Sequence, residues 1–315
     1  MGNSTLELRH TLVICSRNRE ESLLNTLGHI LDQEGELVPQ KIILVVNLTN
    51  NEALESLILK VKCLNHLNIR VIKTSKGLPS ARNIAIKSID ETDVVHFIDD
   101  DVLVDRKYFK GVEDFLRDYP QADGGSPIER FPLRVEPYSG VQLTRFLKLW
   151  LGLVPSAGNV TLSLRNFWGF AKLEEPIAVE WLPGLAMFYR FKAIGTARFP
   201  EELEKNELGG YGLGEDLIFT LKLTSKGCKL YGVPNLGVNH LSDPQSPRQS
   251  RQIHFASGEL RGELFLRFPK KFSKVRYFLS LLFEFTANTL KSPSNLKTNL
   301  LATFSEISGF WSKTK

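Results

Sequence analysis

Cysteine is scarce. Three thiols, Cys15, Cys63 and Cys228, are spread over 315 residues, odd in number and far apart. They fit neither a disulfide framework nor a metal-binding spacing, so a reducing compartment is expected. Long apolar runs are missing too. No stretch approaches the ~18–20 uninterrupted apolar residues needed to span a bilayer. The first ten residues are polar, so no secretory leader is expected. Leu6 stands where myristoylation at Gly2 would want Ser or Thr. No glycine-rich, phosphate-cradling loop follows the first apolar segment, where Ser16-Arg17-Asn18 stands instead. Internal repeats are absent.

What is present suits a core-forming chain of one large α/β domain plus an appendage. Hydrophobic content of 42% and charged content of 24% are ordinary for a globular protein. The formal charge of +5 is unevenly placed. Residues 246–315 hold twelve Lys/Arg and four acids, a net +8, which leaves −3 for residues 1–245. The basic character belongs to the C-terminal region.

Strand and helix signals alternate from Thr11 to about Gly125. Thr11–Cys15, Lys41–Asn47, Ile69–Lys73 and Val94–Ile98 read as strands, Lys41–Asn47 and Val94–Ile98 as buried ones. Helices are expected over residues 18–31, with Asn18 and Glu21 at capping-box spacing, and over 51–64 and 79–88. A fourth would start from a cap at Asp105. Strands separated by helices imply right-handed crossovers and a parallel sheet. Beyond Gly125 the pattern loosens. It returns with a strand over Ala178–Tyr189, a helix from Glu215 to Gly227 and one or two strands over 229–238.

The strand Val94–Ile98 ends in Asp99, Asp100 and Asp101. Three adjacent carboxylates raise one another's pKa, and a divalent cation such as Mg2+ or Mn2+ would remove that cost. Ligands of open α/β sheets bind at such strand ends. An acidic turn that caps the next helix is the alternative. A second acidic pair, Glu215-Asp216, opens a helix after a run of glycines at 209, 210, 212 and 214. There the acids either act on a ligand or cap the helix.

Five stretches occur in the order of one family. They are Val13-Ile14-Cys15-Ser16-Arg17-Asn18, Gly77-Leu78-Pro79-Ser80-Ala81-Arg82-Asn83, Asp99-Asp100-Asp101, Trp181-Leu182-Pro183-Gly184, and Gly209 to Asp216 with His240 beyond. Over roughly residues 10–242 the chain resembles a family-2-type glycosyltransferase of the GT-A fold. The resemblance implies a Rossmann-like, mostly parallel sheet with helices on both faces, plus a C-terminal helical appendage. It divides residues 1–245 into a nucleotide-sugar-binding half (10–125) and an acceptor and catalytic half (126–245), leaving 246–315 as the appendage.

By the same resemblance the enzyme is inverting and uses Mn2+ or Mg2+ with a nucleotide-sugar co-substrate. Asp101, Asp99 and His240 would hold the metal, and Asp216 with Glu215 would form the catalytic centre, Asp216 as base. Ser16, Arg17, Arg82, Asp99 and Asp100 would meet the donor. Asn47 stands where the family usually has Asp at the nucleobase, which leaves the nucleotide open. Trp181 and Gly184 would lie on the acceptor side; Trp150, Phe167, Trp168 and Phe170 read either as sugar-stacking or as core.

A nucleotidyltransferase of similar architecture and an inactive sugar-binding relative are the alternatives. The first lacks its phosphate loop, and the second should have lost Asp99, Asp101 and Asp216. A processive synthase would carry Gln-x-x-Arg-Trp, which is absent. Acceptors of such enzymes are glycans or lipid-linked saccharides. In residues 267–290, Arg267, Lys270, Lys271, Lys274 and Arg276 stand beside many apolar side chains. This segment reads either as a peripheral contact on the inner face of a cytoplasmic membrane or as a helix packed on the domain. No nucleic-acid motif accompanies it.

Overall fold

A computed structural model describes residues 8–33, 39–48, 50–62, 68–128, 142–153, 158–166, 174–205, 214–241 and 250–314. In chain order the first half runs β1 (His10–Arg17), α1 (Glu20–Leu31), β2 (Lys41–Asn47), α2 (Asn51–Lys62), β3 (Ile69–Lys73) and α3 (Leu78–Lys87). Next come β4 (Val94–Asp99), β5 (Val102–Val104), α4 (Tyr108–Asp118), β6 (Gly124–Pro127) and α5 (Gln142–Trp150). After these follow β7 (Ile177–Val179), β8 (Ala186–Arg190), α6 (Phe191–Ile194), α7 (Glu215–Thr224), β9 (Leu230–Val233) and β10 (Val238–His240). Three helices close the chain: α8 (Ser250–Arg267), α9 (Lys274–Lys291) and α10 (Leu296–Thr314). By their contacts the described residues form two compact units, one from 1–129, 172–201 and 215–243, the other from 130–171, 202–214 and 244–315.

The first unit is built on an eight-stranded sheet of order β3-β2-β1-β4-β8-β6-β9-β7. The β1–β2, β2–β3, β1–β4 and β6–β9 pairs are parallel, and β4–β8, β6–β8 and β7–β9 are antiparallel. The four parallel strands of the first half lie where their apolar runs put them. Ile42 to Val46 are all fully buried, as a strand covered on both faces requires. Helix α4 buries Tyr108, Phe109, Val112, Phe115 and Leu116, one stripe of a 3.6-residue repeat; Glu113 is buried beside them, within reach of Arg117.

The segment from Ala178 to Tyr189 is two strands rather than one. β7 lies at the sheet edge and β8 beside β4, with Trp181-Leu182-Pro183-Gly184 breaking the chain between them. Proline lacks the N–H that a continuous central strand would need. The Asn18–Glu21 capping box does not form. Asn18 takes a positive φ of 52°, and α1 starts two residues on with no side-chain cap. Asp105 contributes its carbonyl, not its carboxylate, to the start of α4 by accepting from the Tyr108 N–H.

In the second unit α8 and α10 touch backbone to backbone. A Cβ on Gly258 would stand 1.9 Å from the Glu306 carbonyl oxygen, and one on Gly309 would stand 2.0 Å from that of Phe255. Phe310, Tyr277, Leu281, Ala256, Leu260 and Leu264 fill its core.

Candidate active site

The site lies in the sheet unit, at the C-terminal ends of β1 and β4. Asp99 closes β4, and Asp100 and Asp101 form the turn into β5. Asp100 faces inward. Its carboxylate accepts from the Ser16 hydroxyl at 2.5 Å and from Arg19 at 3.4 Å, while its carbonyl accepts from Ser22 and Thr26. Burial pushes this carboxyl up to about 6, and the Ser16 and Arg19 contacts pull against that rise. The turn is therefore pinned to β1 and α1, which fixes the acids on either side of it.

Asp101 shares Arg19 with Asp100. One oxygen lies 2.8 Å from Arg19 and the other 3.3 Å from His240 Nε2, and its carbonyl accepts the Leu241 N–H. His240 is brought there by the antiparallel β5–β10 ribbon, which pairs it with Val102. A cavity of about 640 Å³ opens beside them, lined by Asn18, Arg19, Glu20, Ser22, Asp101 and Leu241 among others. Among the described residues no three of His, Cys, Asp and Glu converge as a metal cage. One carboxylate oxygen and one imidazole nitrogen at this spacing fit a cation that takes its other ligands from phosphate and water, as Mg2+ habitually does.

The second acidic pair reaches the same strand end through Arg82. This side chain is 1% exposed, and its two terminal nitrogens are occupied. One donates to Glu215 at 2.8 Å, the other to Asp99 at 2.9 Å and to the Gly184 carbonyl at 3.0 Å. Its guanidinium also lies 5.3 Å above the Phe199 ring. Arg82, set against the donor by the sequence pattern, thus holds two carboxylates together. Gly184 completes the link by donating its N–H to Asp216 at 2.7 Å. A Cβ there would come within 3.2–3.3 Å of both Arg82 and Asp216, so a glycine suits the position.

Asp216 accepts the Leu217 N–H on its other oxygen at 2.7 Å. Each oxygen keeps a second lone pair, so the carboxylate can still take a proton. Burial raises the Asp216 and Glu215 carboxyls above their ordinary range, against the pull of Arg82. Burial also raises Asp99, again opposed by Arg82.

The other sequence-marked residues fall around this core. Arg17 is exposed at the end of β1. Asn47 ends β2, where its side-chain amide donates to the Lys76 carbonyl and its own carbonyl accepts the Asn18 N–H. Trp181 is buried in the segment that leads to Gly184. Residues 209–213 and Phe167, Trp168 and Phe170 lie outside the described residues, and Trp150 belongs to the helical unit. Arg19, Ser22 and Thr26 were not singled out by the sequence. Arg19 follows the Ser16-Arg17-Asn18 run directly, but nothing in its spacing marks it.

Residues 11–143 match the model of glycosyl transferase family 2. Over those residues the chain is similar to a family-2-type glycosyltransferase domain. Solved structures share the GT-A fold. One is GalNAc-T7 with UDP, GalNAc and Mn2+, 16% identical at a TM-score of 0.54, covering 80% of this chain and 48% of its own. A second is the mannosyltransferase PcManGT from Pyrobaculum calidifontis with GDP-Man and Mn2+, 13% identical at 0.57, covering 98% and 89%. A third is TarS 1–349 from S. aureus, 15% identical at 0.51, covering 98% and 90%. The chain spans about half of the first structure's length and about nine tenths of the other two. No curated protein matches it by sequence.

Proposed function

We propose that this chain is an inverting, metal-dependent glycosyltransferase that moves a sugar from a nucleotide-sugar donor to a glycan or lipid-linked acceptor. The product would belong to surface polysaccharide or glycoconjugate biosynthesis, with the enzyme peripheral to a membrane. The observation that carries the reading is the Asp99–Arg82–Gly184–Asp216 chain of contacts, which sets a proton acceptor beside the strand end where a diphosphate would lie.

In this reading the donor nucleotide lies across the ends of β1 and β2, near Ser16, Arg17 and Asn47, whose amide can both donate and accept at a base edge. Asp101 and His240 would hold Mn2+ or Mg2+, with Asp99 facing the metal or the ribose. When bound, such a cation supplies positive charge against the diphosphate. Asp216 takes the acceptor hydroxyl's proton while that oxygen bonds to the anomeric carbon. The bond from that carbon to the diphosphate oxygen breaks with its electron pair, and one displacement inverts the centre. The Gly184 and Leu217 N–H groups hold Asp216 in place, Arg82 ties Glu215 and Asp99 to the Gly184 carbonyl beside it, and Trp181 and Gly184 shape the acceptor side. GalNAc-T7 and PcManGT, both solved with Mn2+, support the reading of a cation-assisted donor site.

Asp216→Asn tests the assignment. The amide keeps the shape but accepts no proton, and its NH2 loses one of the two backbone N–H bonds, so transfer from a nucleotide sugar should fall about 10²–10⁴-fold in protein that still folds, with a melting temperature a few degrees lower. Activity within threefold of the parent would remove Asp216 from the reaction.

A further inference from the structure

In the helical unit, α9 presents Val275, Leu279, Leu282, Thr286 and Leu290 to solvent, at spacings of four, three, four and four. These spacings put them on one stripe of the helix. Val275 is 66% and Leu290 81% exposed, far beyond a packed helix face. On one side the stripe meets α5, since Arg276 lies over the Trp150 ring at 5.0 Å and Lys148 over that of Phe283 at 6.0 Å. There Phe146, Leu147 and Leu149 are also exposed, Phe146 at 68%. On the other side it meets α10, where Trp311 stacks on Phe278 and Thr289 accepts from Asn299. Leu296, Leu300, Phe304 and Trp311 continue the exposed apolar surface along α10 at spacings of four, four and seven. Three adjacent helices thus leave one apolar face uncovered among the described residues, which is more than scattered exposed side chains.

Apart from Glu284, which is 40% exposed and paired with Arg165, the charges on this face are of one sign. No acid occurs in α5, and α9 and α10 carry one each, Glu284 and Glu306. Both are turned to Arg165, at 2.5 and 3.4 Å, and Glu306 also accepts from the Tyr277 hydroxyl. What remains around the apolar stripe is Lys148, Arg276, Lys291 and Lys297. Burial, and then repulsion from Lys291, hold the Lys148 ammonium below the usual lysine range, so two of these cations crowd one end of the face. An anion between them would relieve that.

We infer that the α5–α9–α10 face docks on an anionic lipid bilayer, its leucines and aromatic rings entering the headgroup boundary and its lysines meeting lipid phosphates. A water-soluble protein partner would need acids to match the cations and a shaped groove for the rings, whereas a lipid surface needs only an apolar face with a cationic rim. None of the three helices is long and apolar enough to cross a membrane. The assignment gives the proposed lipid-linked acceptor a place to be met, and rests on the proposed function for that purpose alone.

Co-sedimentation of the full chain with vesicles tests it without turnover. Vesicles of phosphatidylcholine with about 30% phosphatidylglycerol should bind the protein at least tenfold more tightly than phosphatidylcholine alone. Raising salt to about 0.5 M should weaken that binding several-fold. Leu282→Ser with Leu290→Ser, and separately Lys291→Glu with Lys297→Glu, should each reduce it at least tenfold while the melting temperature holds, since all four side chains are exposed. No binding to the anionic vesicles overturns the inference, as does binding that neither pair alters. Self-association abolished by the leucine pair, without lipid binding, would assign the face to a second copy instead. Vesicle binding by a chain that takes no nucleotide sugar would sink the donor chemistry and leave this surface standing.

Discussion

Arg82→Met is the most informative single perturbation of the fold around the site. The wild-type guanidinium is 1% exposed and holds Asp99 at 2.9 Å and Glu215 at 2.8 Å. Methionine fills much of the volume but leaves two carboxylates without their cation. Removing one partner of a buried ion pair costs about 3–5 kcal/mol. For a chain of this size that is a fall in melting temperature of roughly 10 °C, at about 2–4 °C per kcal/mol. The sign with pH follows from the carboxylates. Both are already raised by burial, and losing Arg82 raises them further, so the folded variant binds more protons than the unfolded chain. An acid with a raised folded pKa favours folding at low pH and loses that contribution as pH climbs through it. The deficit should be largest near pH 8 and shrink toward about pH 5, where Asp99 and Glu215 can be neutral. Urea unfolding of both proteins at those two pH values reads the difference. A deficit below about 1 kcal/mol, or one that does not change with pH, would refute the reasoning.

Two further perturbations address stability. His10 Nδ1 and His96 Nε2 lie 2.8 Å apart in the core, and burial holds His10 down at about 4 and His96 well below its usual value. Their unfolded pKa of about 6.5 is higher, so His10 alone should cost about 3 kcal/mol of stability as pH falls from about 6.5 to 4, and His96 adds to that loss in the same direction. Replacing both by leucine should flatten that limb of the denaturation profile, and an unchanged limb would clear the pair. Gly309→Ala should lower stability by at least about 1 kcal/mol in thermal melts. Alanine's helix propensity is worth about 1 kcal/mol, but a methyl 2.0 Å from the Phe255 carbonyl oxygen forces α8 and α10 apart, which outweighs it. A stabilised Gly309→Ala would mean the helices are not in backbone contact.

Much of the first half was legible because its signals are local. Lys41–Asn47 reads as a strand from its unbroken apolar run Ile42–Val46, and Ile69–Lys73 from β-branched residues on either side of Arg70; both are strands over the same residues. The acids at the end of β4 were visible as a triplet that only a strand end or a turn would tolerate. What the sequence hid is long-range. Arg82 was visible as a cation in a motif, but its partners Glu215 and Gly184 are more than a hundred positions away. Arg19 carries no signal, since its partner Asp101 meets it only after β1 and β4 pair. The split of Ala178–Tyr189 turns on Pro183, whose missing N–H outweighs the apolar residues around it. The glycine contacts of α8 with α10 escape any apolar periodicity, because a glycine marks close approach only once its neighbour is known.

The central claim is that the acids at the end of β4, with His240, make a metal-assisted nucleotide-sugar site. Thermal shift of the purified full chain against UDP-, GDP- and dTDP-sugars, each with and without Mn2+, tests it most directly. At ligand about 100 times its Kd, binding adds about 2.7 kcal/mol, or roughly 5–10 °C. At least one donor should give that shift with Mn2+ and a much smaller one without it, and Asp101→Asn should abolish the difference. No shift with any donor in the presence of Mn2+, or shifts of equal size without it, would contradict the account.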